Sequence, residues 1–350
     1  MKPTTDWLNS KAAKLDEQFR QQALDRQAEL TKPPGALGEL ESIAVQLAAM
    51  QGQLKPELNN VHISIFAADH GIATSGVSAF PQAVTTEMVK NFSRGGAAIS
   101  VLAKQLDAKL EVINLGTVFD PGSLPGVLDQ RIANSTADFS QQAAMSEEQL
   151  GLALNAGRQA AQRAESADLF IGGEMGIANT SSASAIACAL LKLPVSDLVG
   201  PGTGLDQSGV KRKAEIIGKA LQLHQQAGSA LEILRCLGGF EIAALVGSYI
   251  SCAQSGKPVL IDGFISSVAA LVASHLCPRC SDWFFYAHAS AEPGHIHIMK
   301  ALNATPLLNM GMRLGEASGA ATAVPLLQMA CALHNNMATF AEAGVSNKDD

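Results

Sequence analysis

The sequence contains few aromatic and few charged side chains, 5% and 16% of its 350 residues. No apolar run reaches the roughly 18 residues that a membrane-spanning helix needs, and no apolar segment typical of a secretion signal lies near the first residue. Hydrophobic residues make up 47% of the chain, which is enough for a large core. We therefore expect a folded cytoplasmic protein without a membrane span, built as one large domain or two unequal ones.

The chain also lacks an excess of positive charge. Its formal net charge is -7, and no basic stripe or cluster of Lys and Arg interleaved with aromatics is present. Proteins that bind nucleic acids depend largely on Lys and Arg to neutralise phosphate groups. We therefore expect no nucleic-acid partner.

The six cysteines lie mostly in apolar helical contexts such as IACALL and LQMACAL, where a reduced thiol acts as a small hydrophobic group. We expect free thiols. Cys277-Pro-Arg-Cys280 has the spacing of half a zinc site or of a redox pair. No second CxxC exists, and His275 is the only other ligand type nearby, so a structural or incidental role is favoured.

Short β-branched runs alternate with longer segments of helical periodicity. The strand-like runs are residues 61–71, 109–116, 167–176, 257–264 and 282–288. The predicted helices between them span roughly residues 81–107, 147–165, 179–192, 208–226, 240–255 and 264–276. This alternation predicts an α/β fold with a Rossmann-like, mostly parallel sheet covered by helices on both faces. Ligands of such sheets bind at the carboxyl ends of the strands.

The two ends of the chain differ from its middle. Residues 1–55 are helix-rich and polar, residues 295–350 are predicted to hold one or two helices, and neither flank shows a strand-like run. We predict that these flanks form a small helical subdomain over one end of the sheet, and that residues 56–294 form the large α/β domain.

Three glycines, Gly200, Gly202 and Gly204, lie in the segment VGPGTGLDQSGVKRK, which continues into a predicted helix with three basic residues in its opening turns. Open backbone amides, a helix N-terminus and nearby cationic groups can together bind a phosphate. The segment matches neither the Walker pattern nor the GxGxxG order of a dinucleotide-binding turn. A phosphate site and a purely structural glycine turn both stay open.

The segment GGEMGIANTSSASAIA, residues 172–187, joins a strand end to a helix. Its Asn179, Thr180, Ser181 and Ser182 offer donors for a second anion. Taken alone, the segment favours the simpler interpretation, in which Asn179 or Thr180 caps the helix.

Asp69 and His70 directly follow the first strand, and the segment HASAEPGHIH contains His288, His295 and His297. An acid beside an imidazole suggests a metal site or an acid/base pair, but Asp69 can equally hold the loop by bonding backbone amides. The spacing matches no zinc-protease pattern, and no further acidic cluster accompanies it. The sequence therefore does not favour a metal site.

Glu316 is an isolated carboxyl group in LGEASGAATA, residues 314–323. At helical spacing, an apolar stripe beside it is formed by Met310, Leu314, Ala317 and Ala321. Such a glutamate reaches solvent, finds a partner, or lies in a ligand cavity where its pKa is raised. The small residues around it leave room for a bulky ligand, which favours the cavity and a base poised near neutral pH.

Seven ordered segments resemble the nicotinate-nucleotide:dimethylbenzimidazole phosphoribosyltransferase family of cobalamin biosynthesis. Between residues 32 and 328 they are KPPGALGELE, AADHGIATSGVSAFP, GGEMGIANTSSASA, GGFEIAALVG, PVLIDGFISSVAAL, HASAEPGH and MRLGEASGAATAVPLL. The resemblance implies transfer of a 5-phosphoribosyl group from nicotinate mononucleotide to 5,6-dimethylbenzimidazole or a related base, giving α-ribazole 5'-phosphate and nicotinate. It also implies a homodimer that works without a metal or other cofactor.

The same resemblance assigns roles to individual residues. Glu316 matches the family's general base, which accepts the ring N-H proton of the incoming base, and Glu174 is assigned to the catalytic site with it. Asp69 and His70 are expected to shape the site without transferring protons. The other expected substrate-binding residues are Met175, Gly176, Asn179, Thr180, Gly202, Gly204 and Lys213, with Phe80, Met88 and Leu314 in the ring pocket.

Two other functions stay open as alternatives. One is a metal-dependent hydrolase that uses Asp69, His70, His288 and His295. The other is a sensor that binds a nucleotide or an aromatic base without turnover, because an α/β fold with a phosphate loop does not itself imply catalysis.

Overall fold

A six-stranded parallel sheet forms the centre of the protein, whose computed structural model describes residues 5–346. The strands are β1 (Val61–Ala68), β2 (Lys109–Gly116), β3 (Val127–Asp129), β4 (Leu169–Met175), β5 (Val259–Ile261) and β6 (Phe284–Tyr286). Their order across the sheet is β3-β2-β1-β4-β5-β6, and every neighbouring pair is parallel. This is the strand order of a doubly wound α/β fold, so the predicted fold class is confirmed.

The sequences of the central strands predict those strands, whereas the sequence of the edge strand β3 does not. Every residue of β1 is buried, and β1 pairs with both β2 and β4. Strands covered on both faces are continuous apolar runs, and VHISIFAA is close to one. Strand β3 was not predicted, because it has only three residues and pairs with β2 alone.

Helices connect the strands and extend beyond them. Within residues 5–346 they are α1 (Glu17–Glu29), α2 (Glu39–Gln51), α3 (Ala83–Arg94), α4 (Ala98–Gln105), α5 (Glu147–Arg163), α6 (Asn179–Leu191), α7 (Val195–Leu198), α8 (Gln207–Leu223), α9 (Ala230–Leu237), α10 (Phe240–Ser255), α11 (Phe264–Leu276), α12 (His295–Ala301), α13 (Ser318–Asn336) and α14 (Phe340–Ala343). None of these helices combines the length and the apolar character needed to cross a bilayer. The single helix predicted over residues 81–107 is wrong, because Gly95 adopts a φ of 80° and separates α3 from α4.

Helices from both ends of the chain pack together. Both α1 and α13 pack against α2, and Arg26 of α1 donates hydrogen bonds to the carbonyl oxygens of His334 and Asn335 at 2.8 and 3.1 Å. α13 also packs against α4 and β4. The division into a flanking subdomain of residues 1–55 and 295–350 and a large domain of residues 56–294 stays a prediction. Residues 1–4 and 347–350 lie outside the described part of the chain.

All six cysteines are buried free thiols, as expected. Cys277 and Cys280 lie at the end of α11, and the Cys277 thiol donates to the carbonyl oxygen of Ser10 at 3.4 Å. This contact attaches the segment before α1 to the end of α11.

Candidate active site

A cavity of about 520 Å³ lies at the carboxyl ends of β4, β5 and β6. The ends of these strands supply Glu174, Asp262 and His288 to its wall. The glycine loop before α8 and the segment before α13 form other parts of the wall. The predicted site residues that line the cavity are Phe80, Glu174, Met175, Gly176, Asn179, Thr180, Gly202, Leu314 and Glu316.

Three predicted site residues do not line this cavity. Lys213 lies behind its wall, where its Nζ donates to Thr180 Oγ1 at 2.8 Å and to the Gly200 carbonyl oxygen at 3.4 Å. Gly204 belongs to the same loop and has a φ of 115°. Met88 is half-buried on α3, away from the cavity wall.

Glu174 is a buried carboxyl group at the end of β4. Its side chain is enclosed, and its Oε2 accepts a hydrogen bond from Nδ2 of Asn179 at the start of α6. Burial, followed by the charges of Glu241 and Asp262, raises the pKa of Glu174 well above its usual range. A carboxyl group in this environment favours its protonated form, which can donate a hydrogen bond to a ligand in the cavity.

Glu316 lies immediately before α13 and not inside a helix. Gly315, Glu316 and Ala317 have left-handed backbone conformations, with φ values of 86°, 60° and 62°. The predicted helical stripe is therefore wrong, because Met310 and Leu314 precede this turn and are 64% and 59% exposed. Leu314 instead lies on the cavity wall.

The carboxyl group of Glu316 is buried against the cavity. It is only 7% exposed and lines the cavity wall. Burial, followed by the charge of Asp262, raises the pKa of Glu316 to about 7. At neutral pH this group exists in both protonation states, which suits a residue that accepts a proton and then releases it.

Basic groups gather around the glycine loop. Arg313 lines the cavity, and its Nη1 donates to the carbonyl oxygen of Gly202 at 3.3 Å. Burial lowers the pKa of Lys213 to about 8, and the charge of Glu292 opposes this shift. A guanidinium group and an ammonium group close together can bind a phosphate. Arg313 was not predicted as a site residue, although it lies three residues before Glu316 in the segment MRLGEASGAA.

The N-terminus of α8 does not contribute an open anion site. Asp206 caps the helix, and its Oδ1 accepts a hydrogen bond from the Gly209 amide at 2.7 Å. Lys211 and Arg212 are exposed and do not line the cavity. The phosphate interpretation therefore depends on the glycine loop and on Lys213, not on the start of the helix.

Asp69, His70, His288 and His295, which the sequence offered as metal or acid/base groups, contact other groups of the protein. An oxygen of Asp69 accepts a hydrogen bond from a backbone amide, and Nε2 of His70 lies 2.6 Å from Oε1 of Glu241. The side chains of Asp69, His70 and Glu241 are completely buried. The rings of His288 and His295 stack on each other at 6.5 Å. Within residues 5–346, no three His, Cys, Asp or Glu side chains are grouped so that they could hold a metal ion.

Known proteins resemble the chain over nearly its whole length. A phosphoribosyltransferase family, DBI_PRT, matches residues 12–345. A nicotinate-nucleotide--dimethylbenzimidazole phosphoribosyltransferase from Pseudomonas fluorescens (strain SBW25) is 59% identical over 347 residues, which cover 98% of this chain and 99% of the relative. A protein of the same name from Xanthomonas axonopodis pv. citri (strain 306) is 58% identical over 345 residues, with 98% and 99% coverage.

The fold is also shared with a solved structure. The crystal structure of CobT from Thermus thermophilus superposes with a TM-score of 0.91 at 44% sequence identity, covering 94% of this chain and 99% of that one. The similarity therefore extends over nearly the whole fold. The chain belongs to the DBI_PRT family of phosphoribosyltransferases.

Proposed function

We propose that this phosphoribosyltransferase moves the 5-phosphoribosyl group of nicotinate mononucleotide to 5,6-dimethylbenzimidazole or a related base, giving α-ribazole 5'-phosphate and nicotinate for cobalamin biosynthesis. The observation that carries the proposal is the buried Glu316 carboxyl group, with a pKa of about 7, on the wall of the cavity. The names of the relatives support the choice of substrates.

Glu316 acts as the general base in this reaction. One nitrogen of the benzimidazole forms a bond to the anomeric carbon while the bond from that carbon to the nicotinate nitrogen breaks. The pyridinium ring takes up the electron pair and leaves uncharged, so it needs no general acid. The N-H proton of the benzimidazole passes to the Glu316 carboxylate. Attack opposite the leaving group converts a β-linkage into an α-linkage.

The phosphate and the ring bind to different parts of the site. The phosphate binds beside the loop around Gly202, where Lys213 and Arg313 supply positive charge. The Gly204 amide donates to the Pro201 carbonyl oxygen at 3.1 Å, so Gly204 shapes the loop. Thr180, whose hydroxyl group accepts from Lys213, adjoins this loop. Together these groups hold one end of the donor nucleotide in place.

Apolar side chains at the edge of the cavity accept the flat base. Phe80 and Leu314 line the cavity and are 51% and 59% exposed, so a planar ring that covers them removes apolar surface from water. Met175 adds a flexible apolar contact. Met88 does not line the cavity and is not part of this apolar surface.

We infer that the enzyme works as a homodimer in the cytoplasm. The net charge of -7 supports the absence of a nucleic-acid partner. The transfer proposed here needs neither a metal ion nor an organic cofactor, because the leaving group is already activated as a pyridinium.

The test is incubation of the protein with nicotinate mononucleotide and dimethylbenzimidazole, read by chromatography and mass spectrometry. We expect α-ribazole 5'-phosphate and nicotinate in equal amounts. Glu316→Gln keeps the shape of the side chain but cannot accept the proton, so kcat should fall by about 10²- to 10⁴-fold. Glu215→Gln, a change at an exposed glutamate of α8, is the matched control and should keep wild-type turnover. Wild-type protein that binds both substrates and releases no nicotinate would instead indicate a sensor.

A further inference from the structure

The backbone that carries Glu316 is strained. Gly315 tolerates a left-handed conformation, but Glu316 and Ala317 carry side chains and have φ values of 60° and 62°. In this conformation the Cβ atom of an L-residue lies too close to its own backbone. Two such residues in succession persist only where surrounding contacts hold them, and backbone strain of this kind concentrates at functional sites.

Two hydrogen bonds hold this strained segment from its C-terminal side. The Ser318 hydroxyl group donates to the Gly315 carbonyl oxygen at 2.7 Å and closes the turn locally. The Ala320 amide, in the first turn of α13, donates to Oδ1 of Asp262 at 2.7 Å. Asp262 immediately follows β5, so this second bond ties the start of α13 to the sheet.

The contact between Asp262 and α13 is tightly packed. Gly319 lies directly against Asp262 and His288, and a Cβ atom at this glycine would lie 2.9 Å from Asp262 Oδ1 and still closer to the His288 ring. Asp262 and His288 are each only 2% exposed. The start of α13 therefore has little freedom to move relative to the ends of β5 and β6.

We propose that Asp262 is a positioning residue for Glu316: it caps α13 from the end of β5 and thereby holds the left-handed segment that directs the Glu316 carboxyl group into the cavity. The inference rests on the proposed function, in which Glu316 is the general base. No substrate contact of Asp262 is required. Its effect passes through the backbone of residues 315–320.

The negative charge of Asp262 also affects the Glu316 carboxyl group. Burial raises the pKa of Asp262, while the charge of His288, whose Nε2 lies 3.7 Å from Oδ1, and hydrogen bonds from backbone amides oppose that shift and favour the ionised form. An ionised Asp262 disfavours a second negative charge on Glu316, which adds to the effect of burial. The other ionisable groups on the cavity wall are Glu174, Glu292 and Arg313.

Two substitutions separate the mechanical effect from the electrostatic effect. Asp262→Asn keeps an oxygen that can accept from the Ala320 amide but removes the charge. We expect a plateau kcat close to the wild-type value and an acid limb of the kcat profile that moves to lower pH. Asp262→Ala removes the cap as well, and we expect kcat to fall at least about tenfold, because displacement of a reacting group by a fraction of an ångström is costly. The KM for nicotinate mononucleotide should change less, because the glycine loop binds the phosphate.

A third substitution keeps the test decisive if Asp262→Ala fails to fold. Ser318→Ala leaves the charge of Asp262 in place and removes the hydroxyl bond to Gly315, while the residue 318 amide still donates to the same carbonyl oxygen at 3.0 Å. We expect a lower kcat with an acid limb at the wild-type pH. Circular dichroism melts report whether each variant is folded.

The outcomes distinguish this inference from the proposed function. An unchanged kcat in folded Asp262→Ala or in folded Ser318→Ala would overturn the claim that the held segment positions Glu316. An unshifted acid limb in Asp262→Asn would overturn the effect of the Asp262 charge on Glu316. Full turnover in Glu316→Gln would instead overturn the assignment of the base, whatever the Asp262 variants do. Absence of any ribazole phosphate from the wild-type protein would overturn the reaction itself.

Discussion

At the scale of single residues, partners distant in sequence determine what a buried carboxyl group does. Glu316 and Glu111 are 7% and 8% exposed, yet the pKa of Glu316 is raised to about 7 and that of Glu111 is lowered to about 2. Burial raises both values, but contacts with His62, Arg163 and Ser64 lower the pKa of Glu111, whereas the charge of Asp262 further raises that of Glu316. The sequence indicated that Glu316 was isolated among small residues. It could not identify Asp262 as its neighbour, because that contact exists only in the folded chain.

The raised pKa of Glu316 predicts how turnover depends on pH. Only the ionised carboxylate accepts a proton, so kcat should rise as the pH increases through about 7 and should fall about tenfold per pH unit below that value. A series of kcat measurements at saturating substrates in buffers of equal ionic strength checks this. A kcat that stays constant down to about pH 5, where an ordinary glutamate is still largely ionised, would contradict the assignment.

The pKa of Glu111 is shifted in the opposite direction to that of Glu316, and this shift predicts how the stability of the fold depends on pH. Its pKa in the folded protein lies below the usual value of 4.5, so the stability it contributes is present above about pH 4.5 and is lost as the pH falls toward about 2. Glu111→Gln should lower the free energy of unfolding at pH 7 by roughly 2 kcal/mol, less than for a fully buried pair because Arg163 is partly exposed. Urea unfolding at pH 7 and at about pH 3, inside the range where the contribution is lost, measures the difference. An equal loss at both pH values would contradict this explanation.

At the scale of elements, sequence patterns locate helices better than they locate helix ends. The apolar spacing of Met310 and Leu314 continues into α13, but the helix begins only after three left-handed residues. That turn is stabilised by Asp262, which lies more than fifty positions earlier and leaves no local signal. The break between α3 and α4 is different, since the pair Gly95 and Gly96 marks it in the sequence.

The contact between α5 and α10 gives a prediction at this scale. Gly157 of α5 lies so close to α10 that a Cβ atom there would lie 2.7 Å from the Ser248 amide nitrogen and would overlap the Ala244 carbonyl group. Gly157→Ala should therefore destabilise the fold by about 1–3 kcal/mol through overpacking. Gly218→Ala, in α8, is the matched control: no atom lies within 4 Å of the new methyl group, and stability should rise by about 0.5–1 kcal/mol. Thermal melts that rank the two variants in the reverse order would exclude close helix packing as the cause.

At the scale of the whole molecule, the alternation of strands and helices predicted five of the six strands and a candidate site at their carboxyl ends, where the cavity lies. Glu174 follows β4 and Asp262 follows β5, and adjacent parallel strands bring such residues to one cavity. Periodicity could not predict the roles of Arg313 and of the turn at Glu316, because both lie in the irregular segment before α13. Met88 is the opposite case. The family resemblance placed it in the ring pocket, but it does not line the cavity.

The most direct test of the central claim is a crystal structure of the protein with dimethylbenzimidazole bound. We predict that the ring lies in the cavity at the ends of β4, β5 and β6, with one Glu316 oxygen about 2.6–3.2 Å from a ring nitrogen. A ring bound with both of its nitrogens far from that carboxyl group, or a Glu316 side chain turned toward bulk water, would contradict the account.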